Sequence, residues 1–187
     1  MVSKKDIRKH VLAQRNSITK KEWDDNSQII FKKVVSHPFF LECDVLYCYV
    51  DYNKEVQTRS IIEYAWAHNK KVAVPKIVND EMIFFFIQSF EDLKEGFRGI
   101  LEPADCEMAS ENSALVIMPG VAFDQQLNRI GYGRGFYDKF LEAHPDCHTI
   151  ALGFEMQLVP MIPHSDFDIR PEFLITEDHI YVNKITN

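Results

Sequence analysis

The sequence predicts an α/β protein of three layers, α/β/α, with a mainly parallel, Rossmann-like central sheet. Short apolar runs rich in β-branched and aromatic residues alternate with helical patterns along the chain. Several runs, such as Val-Leu-Tyr-Cys-Tyr-Val at 45–50, have the length and content of buried strands, so helices should cover both faces of the sheet. The 187 residues contain no internal repeat and suit a single α/β domain over 1–187.

Two capping boxes predict the first two helices. Residues 3–6, Ser-Lys-Lys-Asp, open a helix with Ile7 and Val11 on its apolar face. Residues 19–22, Thr-Lys-Lys-Glu, open a longer helix that the dipeptide His37-Pro38 ends.

The remaining elements follow from apolar runs and from the residues that interrupt them. Helices are predicted from Thr58 to near Asn69 and from about Gly135. Strands are predicted at 44–50, 71–76, 82–87, 114–118, 149–154 and 173–176, and Pro75 should mark the end of the second.

Composition excludes several classes of protein. The net charge of −7 argues against a nucleic-acid-binding protein, which would usually carry a basic face. The four cysteines form no Cys-x-x-Cys pair, and no signal peptide is recognisable, which indicates a reducing compartment. Apolar runs are too short to span a membrane, so we expect a cytoplasmic protein.

The most informative stretch is Gly120–Asp138, called the glycine segment below. Gly131, Gly133 and Gly135 alternate with two larger residues, which lets the backbone turn and expose its N–H groups. Arg129 and Arg134 add bidentate donors for phosphate oxygens, and a helix that starts near Gly135 points its free amides at the same place. The segment therefore predicts an anion site, most simply for a nucleotide phosphate; a tight turn without a ligand is the alternative.

The predicted topology supports this position for a site. In parallel sheets ligands bind beyond the carboxyl ends of the strands. By that rule the strand ends at 50–55, 75–76, 119–124 and 154–155 converge on one rim, and the glycine segment follows one of them.

These pieces together resemble the 5-formyltetrahydrofolate cyclo-ligase family, also called methenyltetrahydrofolate synthetases. The most specific match is Met-Pro-Gly-Val-Ala-Phe-Asp at 118–124, continuing through Asn-Arg-Ile-Gly-Tyr-Gly-Arg-Gly-Phe-Tyr-Asp at 128–138. Supporting matches in the same order are Lys4-x-x-x-Arg8, residues 55–58, residues 99–103 and residues 168–177. The resemblance covers nearly the whole chain.

The resemblance implies an activity and a set of ligands. The activity is ATP-dependent closure of 5-formyltetrahydrofolate to 5,10-methenyltetrahydrofolate, with release of ADP and phosphate and with Mg²⁺ as the helper ion. Phosphoryl transfer depends mainly on positioning and charge neutralisation, which suits a site rich in cations and donors. We expect a monomer that acts on these small molecules, with neither nucleic acid nor membrane as a partner.

The resemblance also implies roles for individual residues. Arg134 and Arg129 are the expected catalytic cations, and Asp138 and Asp168 the expected Mg²⁺ ligands. Nucleotide binding is implied for Lys4, Lys5, Asp6, Ile7, Arg8, Arg129, Ile130, Gly131, Tyr132, Gly133, Arg134, Gly135, Phe136 and Tyr137. Folate binding is implied for Val50, Glu55, Tyr132 and Phe136, where the Glu55 carboxylate accepts hydrogen bonds from the pterin.

Each of these roles has a structural alternative in the sequence. Lys4 and Arg8 have the pattern of a solvated first turn, and Asp138 that of a carboxylate favoured by the helix dipole. Asp168 has the alternative of a turn residue before Pro171, with Asp166 as its rival for the metal. Arg98 stands where the family usually has an aromatic residue beside the ligand, and its neighbour Phe97 is the possible replacement.

Two other function classes remain open from the sequence. A sugar-phosphate isomerase or acyl-CoA transferase would share an anion-binding rim and would need a glutamate base or nucleophile, for which Glu102 and Glu155 are the candidates. A non-catalytic sensor would bind ATP and folate without releasing phosphate. The site, not the fold, has to separate these classes.

Overall fold

The computed structural model describes residues 3–96, 99–165 and 167–184. Within them lies a seven-stranded sheet. Its strands are β1 (Val45–Cys48), β2 (Lys71–Val78), β3 (Glu81–Ile87), β6 (Leu115–Pro119), β9 (His148–Leu152), β10 (Phe173–Ile175) and β11 (Ile180–Val182). Their order across the sheet is β11-β10-β9-β6-β1-β2-β3. Two small hairpins stand apart from it: β4 (Leu93–Glu95) with β5 (Leu101–Pro103), and β7 (Ala122–Phe123) with β8 (Arg129–Ile130).

The central five strands run parallel and the two outer ones antiparallel. β10, β9, β6, β1 and β2 pair in parallel, whereas β11 and β3 reverse direction at the two edges. Every residue of β1 is buried, as a strand covered on both faces requires. Leu46 and Cys48 point into one core and Val45 and Tyr47 into the other, which confirms the predicted three-layer arrangement.

The α-helices of the described ranges are α1 (Lys4–Ser17), α2 (Lys20–Val35), α3 (Pro38–Glu42), α4 (Arg59–Ala67) and α5 (Phe136–Ala143). All except α1 supply the outer layers of the sheet. The apolar residues of α2, α3 and α4 fill one core, and Phe140 and Leu141 of α5 fill the other. Both predicted capping boxes are present, at the amino termini of α1 and α2. None of the helices in the described ranges is long and apolar enough to cross a membrane.

Helix α1 packs away from the sheet, against the hairpin at the start of the glycine segment. Ile7 and Val11 share a separate small core with Val121, Ala122 and Ile130. The apolar face that the sequence predicts therefore docks the helix next to the candidate site. This contact brings the basic residues of α1 to the glycine segment.

The prediction for Pro75 was wrong. Pro75 lies inside β2, opposite Phe84 of β3, and the strand continues to Val78. β1 pairs only with residues 71–73 of β2, so Pro75 lies beyond the last pairing on that side. A missing N–H costs little where a strand has one neighbour, which explains why the strand does not stop there.

Candidate active site

A buried carboxylate fixes the shape of the glycine segment. Asp124 is fully buried and accepts hydrogen bonds from the Asn128 N–H and side-chain amide and from the Ile162 N–H, each at 2.9 Å. Gln157, just after β9, donates to the carbonyl oxygens of Gly120 and Val121 at 2.8 and 3.0 Å. The segment is therefore tied to its own turn and to the end of β9, as the predicted convergence of strand ends requires.

Two glycines of the segment need left-handed backbone. Gly133 has φ +99° and Gly135 has φ +65°. Arg8 of α1 donates from Nε to the Gly131 carbonyl at 2.9 Å, and a Cβ on Gly133 would lie 3.3 Å from its Nη2. The turn is thus shaped for close approach of the guanidinium. Gly135 is the N-cap of α5, and no side chain caps that helix.

Arg129 pairs with the first-turn carboxylate of α5. Its Nη2 lies 3.2 Å from Oδ1 of Asp138, and only 6% of its side chain is exposed. The guanidinium also stands 5.6 Å from the centre of the Tyr137 ring. The expected phosphate-binding cation and the expected metal ligand therefore contact each other.

Lys4 and Asp168 form a second pair of the same kind. Lys4 Nζ lies 2.6 Å from Oδ2 of Asp168, which also accepts from the Ser165 N–H at 2.7 Å. Partial burial alone would raise the pKa of Asp168, but the hydrogen bonds from Lys4 and Ser165 outweigh it and lower the pKa below its ordinary value. The Ile169 N–H donates to Asp138 at 3.1 Å, so the two pairs are neighbours. We call Lys4, Asp168, Arg129 and Asp138 the charge-pair cluster.

Glu55 lies at the other side of the glycine segment and is buried. Its Oε1 accepts from the Tyr132 hydroxyl at 2.8 Å and its Oε2 from the Tyr52 N–H at 3.0 Å. Burial raises the pKa of Glu55, and these two hydrogen bonds offset part of that rise. The sequence-predicted folate residues Glu55 and Tyr132 are therefore in direct contact.

Arg15, on the last turn of α1, completes this region and was missed by the sequence analysis. Its side chain is fully buried, and Nη2 donates to the Tyr132 hydroxyl at 2.8 Å and to the Asn53 carbonyl at 3.1 Å. Arg15 stands four residues after Val11 and eight after Ile7, in the buried register of the helix. That register is the signal that would have found it. We call Arg15, Tyr132 and Glu55 the Glu55 network.

Other predicted residues lie around these two groups. Lys5 is exposed, Asp6 belongs to the capping box, and Ile7 and Ile130 are buried in the small core under α1. Val50 packs against the larger core, and Phe136 is half-buried in the first turn of α5. The buried Tyr137 hydroxyl has no hydrogen-bond partner within the described ranges.

Arg134 lies apart from both groups in the structure. Its side chain is 74% exposed, and its Nη1 stands 4.0 Å from Oδ1 of Asp80 in the turn between β2 and β3. Phe97, Arg98 and Asp166 lie outside the described residues.

The two glutamates predicted as candidates for a base or nucleophile, Glu155 and Glu102, lie outside the charge-pair cluster. Glu155 accepts hydrogen bonds from the hydroxyls of Thr176 and Tyr181 at 2.6 and 2.5 Å, which hold it between β10 and β11. Glu102 lies on β5, in the hairpin outside the large sheet. Neither contacts the charge-pair cluster through a hydrogen bond among the described residues.

The fold and this arrangement define an α/β protein whose polar site lies beyond the carboxyl edge of a mainly parallel sheet. A sequence profile described as the 5-formyltetrahydrofolate cyclo-ligase family matches residues 1–177, and the chain belongs to this family.

Individual relatives agree with the profile. The mitochondrial 5-formyltetrahydrofolate cyclo-ligase of Arabidopsis thaliana is 32% identical to this chain over 205 residues, covering 94% of this chain and 73% of that one.

 The protein of Schizosaccharomyces pombe named as a probable 5-formyltetrahydrofolate cyclo-ligase is 28% identical over 186 residues, covering 86% of this chain and 88% of that one.

A solved structure agrees as well. The NMR structure of 5,10-methenyltetrahydrofolate synthetase from Aquifex aeolicus superposes with a TM-score of 0.87 at 25% identity. The superposition covers 98% of this chain and 94% of that one. The α/β fold predicted from the sequence is thereby confirmed.

Proposed function

We propose that this chain catalyses the ATP-dependent closure of 5-formyltetrahydrofolate to 5,10-methenyltetrahydrofolate, with release of ADP and phosphate. Membership of the cyclo-ligase family supports this activity directly. The enzyme is a ligase of folate one-carbon metabolism. Its fold places a cluster of cations and carboxylates on one side of the glycine segment and a buried carboxylate on the other.

The reaction needs an activated formyl oxygen. The formyl carbon on N5 is amide-like, so N10 cannot readily attack it and expel water. Transfer of the γ-phosphoryl group to the formyl oxygen breaks the bond to ADP and creates a good leaving group. N10 then attacks the formyl carbon, the ring closes, and the phosphate departs. The protein contributes positioning and charge neutralisation.

The charge-pair cluster is the observation that carries this proposal. Lys4 and Arg129 supply cations, and Asp168 and Asp138 supply carboxylates, on neighbouring elements. A magnesium–triphosphate complex carries negative phosphate oxygens and a positive metal ion. The cations of the cluster match the phosphate oxygens, and its carboxylates match the metal ion. Lys4, Arg8 and Arg129 hold the phosphate oxygens in this proposal, and Arg134 reaches the transferring group from the turn.

The donor set also fits the metal. Mg²⁺ prefers hard oxygen ligands and uses one or two carboxylates together with phosphate oxygens. Asp138 and Asp168 are such ligands, and their hydrogen bonds from Ile169 and Ser165 orient them. When bound there, the ion neutralises charge on the phosphate oxygens.

The Glu55 network is the proposed pterin site. A carboxylate can accept paired hydrogen bonds from the amino group and a ring N–H of a pterin. Burial of Glu55 strengthens such bonds because water does not compete for them. Val50, Tyr132 and Phe136 line the same side in this proposal.

The remaining parts of the proposal concern the setting of the enzyme. We propose that residues 1–187 form a single domain that works as a monomer in the cytoplasm. A gel-filtration mass equal to one chain is the expected result for the monomer. Recovery of the protein in an organelle fraction would contradict the proposed location.

Absorbance of 5,10-methenyltetrahydrofolate in the near ultraviolet tests the activity. Purified protein with 5-formyltetrahydrofolate, ATP and Mg²⁺ should produce this absorbance and one phosphate per product. Omission of ATP or of Mg²⁺ should abolish both signals. A folded protein that binds both ligands without releasing phosphate would instead be a sensor, and the proposal would be wrong.

A further inference from the structure

Arg15 is buried in a way that a purely structural role does not explain. None of its side chain is exposed, and its Nε and Nη1 have no hydrogen-bond partner among the described residues. Burying a guanidinium group is costly unless its charge and donors are matched. Leucine or methionine at this position would fill the same space at lower cost.

The hydrogen bonds of Arg15 have a defined direction. A guanidinium group can only donate, so the Tyr132 oxygen accepts from Arg15 at 2.8 Å. The hydroxyl proton of Tyr132 is then free to point at Glu55, where the oxygens lie 2.8 Å apart. Arg15 therefore sets the orientation of a hydroxyl that holds the Glu55 carboxylate.

We propose that Arg15 is a positioning residue for folate recognition, which acts through the Tyr132 hydroxyl to keep Glu55 ionised and correctly oriented. This inference rests on the proposed function, in which Glu55 accepts hydrogen bonds from the pterin. An ionised carboxylate offers acceptors on both oxygens, whereas a protonated one turns an acceptor into a donor. Arg15 does not touch the ligand in this proposal.

The electrostatic surroundings of Glu55 support the inference. Burial raises the pKa of Glu55, and the nearby charge of Asp51 adds to the rise. The hydrogen bonds from the Tyr132 hydroxyl and the Tyr52 N–H lower the pKa of Glu55. The positive charge of Arg15 lowers it as well. The groups facing Glu55 come from α1, the loop after β1, the glycine segment and α5. They are Arg15, Tyr49, Asp51, Tyr52, Tyr132 and Tyr137.

The neighbouring phenols cannot replace the cation. Burial raises the pKa of the Tyr49, Tyr132 and Tyr137 hydroxyls, so these groups are neutral at neutral pH. Removal of the Arg15 charge should therefore leave Glu55 easier to protonate.

The pH dependence of kcat/KM for 5-formyltetrahydrofolate tests this inference. Arg15→Met should lower kcat/KM for the folate about 10- to 100-fold at neutral pH and move the acidic limb of its profile to higher pH. Arg15→Lys keeps the positive charge, so the acidic limb of its pH profile should lie close to that of the wild type. KM for ATP should stay close to that of the wild type. Arg59→Met is the matched control, because Arg59 is an exposed arginine on α4 that pairs with Glu63.

A measurement without turnover separates this inference from the proposed function. In protein labelled with ¹³C at the glutamate carboxyl groups, the Glu55 signal is assigned by its loss in Glu55→Gln. Its titration midpoint should rise in Arg15→Met and in Tyr132→Phe. An unchanged midpoint in both variants would overturn the inference even if the wild type is an active cyclo-ligase.

Two further experiments test the role of Arg15 when the wild type is inactive or when Arg15→Met does not fold. If the wild type shows no turnover, the proposed function fails, and calorimetric binding of 5-formyltetrahydrofolate to wild type and Arg15→Met still decides the role of Arg15, because equal affinities would overturn it. If Arg15→Met does not fold, Tyr132→Phe tests the same relay with Arg15 in place. Equal folate affinity in Tyr132→Phe and wild type over the whole pH range would contradict the inference.

Discussion

The charge-pair cluster and the Glu55 network use the same two charge types in opposite ways. In the cluster, cation and carboxylate touch directly, and the side chains of Lys4 and Asp168 are 37% and 25% exposed. In the network, Arg15 and Glu55 are buried, and the Tyr132 hydroxyl stands between them. A direct pair that water reaches, such as Lys4 and Asp168, can exchange partners with a ligand, whereas the hydrogen bonds from Arg15 to the Tyr132 hydroxyl and from that hydroxyl to Glu55 hold one carboxylate in place.

The two regions also differ in the sign of their pKa shifts. Burial raises the pKa of Glu55, because desolvation outweighs its hydrogen bonds. Asp168 shows the opposite result, since hydrogen bonds from Lys4 and Ser165 outweigh its partial burial. The difference follows from how much water each carboxylate has lost.

Glu55→Gln should give the largest effect, because it removes the buried acceptor of the network and leaves the cluster intact. We expect kcat/KM for 5-formyltetrahydrofolate to fall about 100- to 1,000-fold, since the pterin donors and Arg15 both lose their charged partner. KM for ATP should change little. Glu63→Gln, on the exposed face of α4, is the matched control. A Glu55→Gln enzyme with normal folate kinetics would remove the network from the site.

Arg134→Ala should give the second-largest effect, and it tests whether Arg134 acts together with the cations of the cluster. Loss of a cation that acts in the transition state should lower kcat about 100-fold. Arg134 is exposed beside Asp80 in the structure, so Asp80→Asn serves as the control for the loss of that weak contact. Unchanged turnover in Arg134→Ala would show that the cluster works without it.

Asp168→Asn should separate metal binding from folate binding. We expect the Mg²⁺ concentration for half-maximal rate to rise about 10-fold or more, because a neutral amide is a weaker ligand than a carboxylate. KM for 5-formyltetrahydrofolate should stay within about two-fold of the wild-type value, because Asp168 and the Glu55 network share no hydrogen-bond partner among the described residues. An unchanged Mg²⁺ requirement would contradict the assignment of Asp168 as a ligand.

Stability should respond to pH in opposite directions in the two regions. Glu55 has a raised pKa in the folded protein, so its favourable contribution is present below its ordinary value of 4.5 and is lost as pH rises through the folded pKa. Asp168 has a lowered pKa, so its contribution is present above its ordinary value of 3.8 and is lost as pH falls through the folded pKa. Urea unfolding across this pH range measures both.

Glu55→Gln and Asp168→Asn are the variants to compare with the wild type in these unfolding measurements. Glu55→Gln should flatten the decline of the unfolding free energy above pH 4.5, and Asp168→Asn should flatten the decline below pH 3.8. Parallel curves for wild type and both variants would show that neither carboxylate is perturbed.

Salt should have the smallest effect and should act on one region only. Added NaCl screens exposed charges far more than buried ones. We therefore expect KM for ATP to rise a few-fold with ionic strength, while KM for 5-formyltetrahydrofolate stays nearly constant. A matching rise in both would contradict the difference in burial between the Lys4–Asp168 pair and Glu55.

The sequence predicts the fold well where local signals are strong. Capping boxes at Ser3 and Thr19 and the apolar run at 45–50 each carry their own evidence. The hairpins β4–β5 and β7–β8 were not predicted, because strands of two or three residues have too little periodicity. The end of β2 could not be predicted from Pro75, because a strand tolerates proline where the neighbouring strand no longer pairs with it.

For the candidate site, the sequence predicts individual residues but not the contacts between residues that lie far apart in the chain. Arg129, Asp138, Lys4 and Asp168 were predicted as separate ligands, but nothing in the sequence states that they pair with one another. Arg15 was missed because its partners, Asn53 and Tyr132, lie far along the chain. Burial of a charged residue is a tertiary property, so only the fold reveals it.

Helix α1 contributes one residue to the proposed phosphate site and another to the proposed pterin site. Lys4 and Arg15 lie at opposite ends of it, about 16 Å apart along the axis at the rise of an α-helix. Insertion of one alanine between Arg8 and Arg15 would turn one end relative to the other by about 100°. In the proposed function, the length of this one helix therefore sets the distance between the triphosphate and the formyl group.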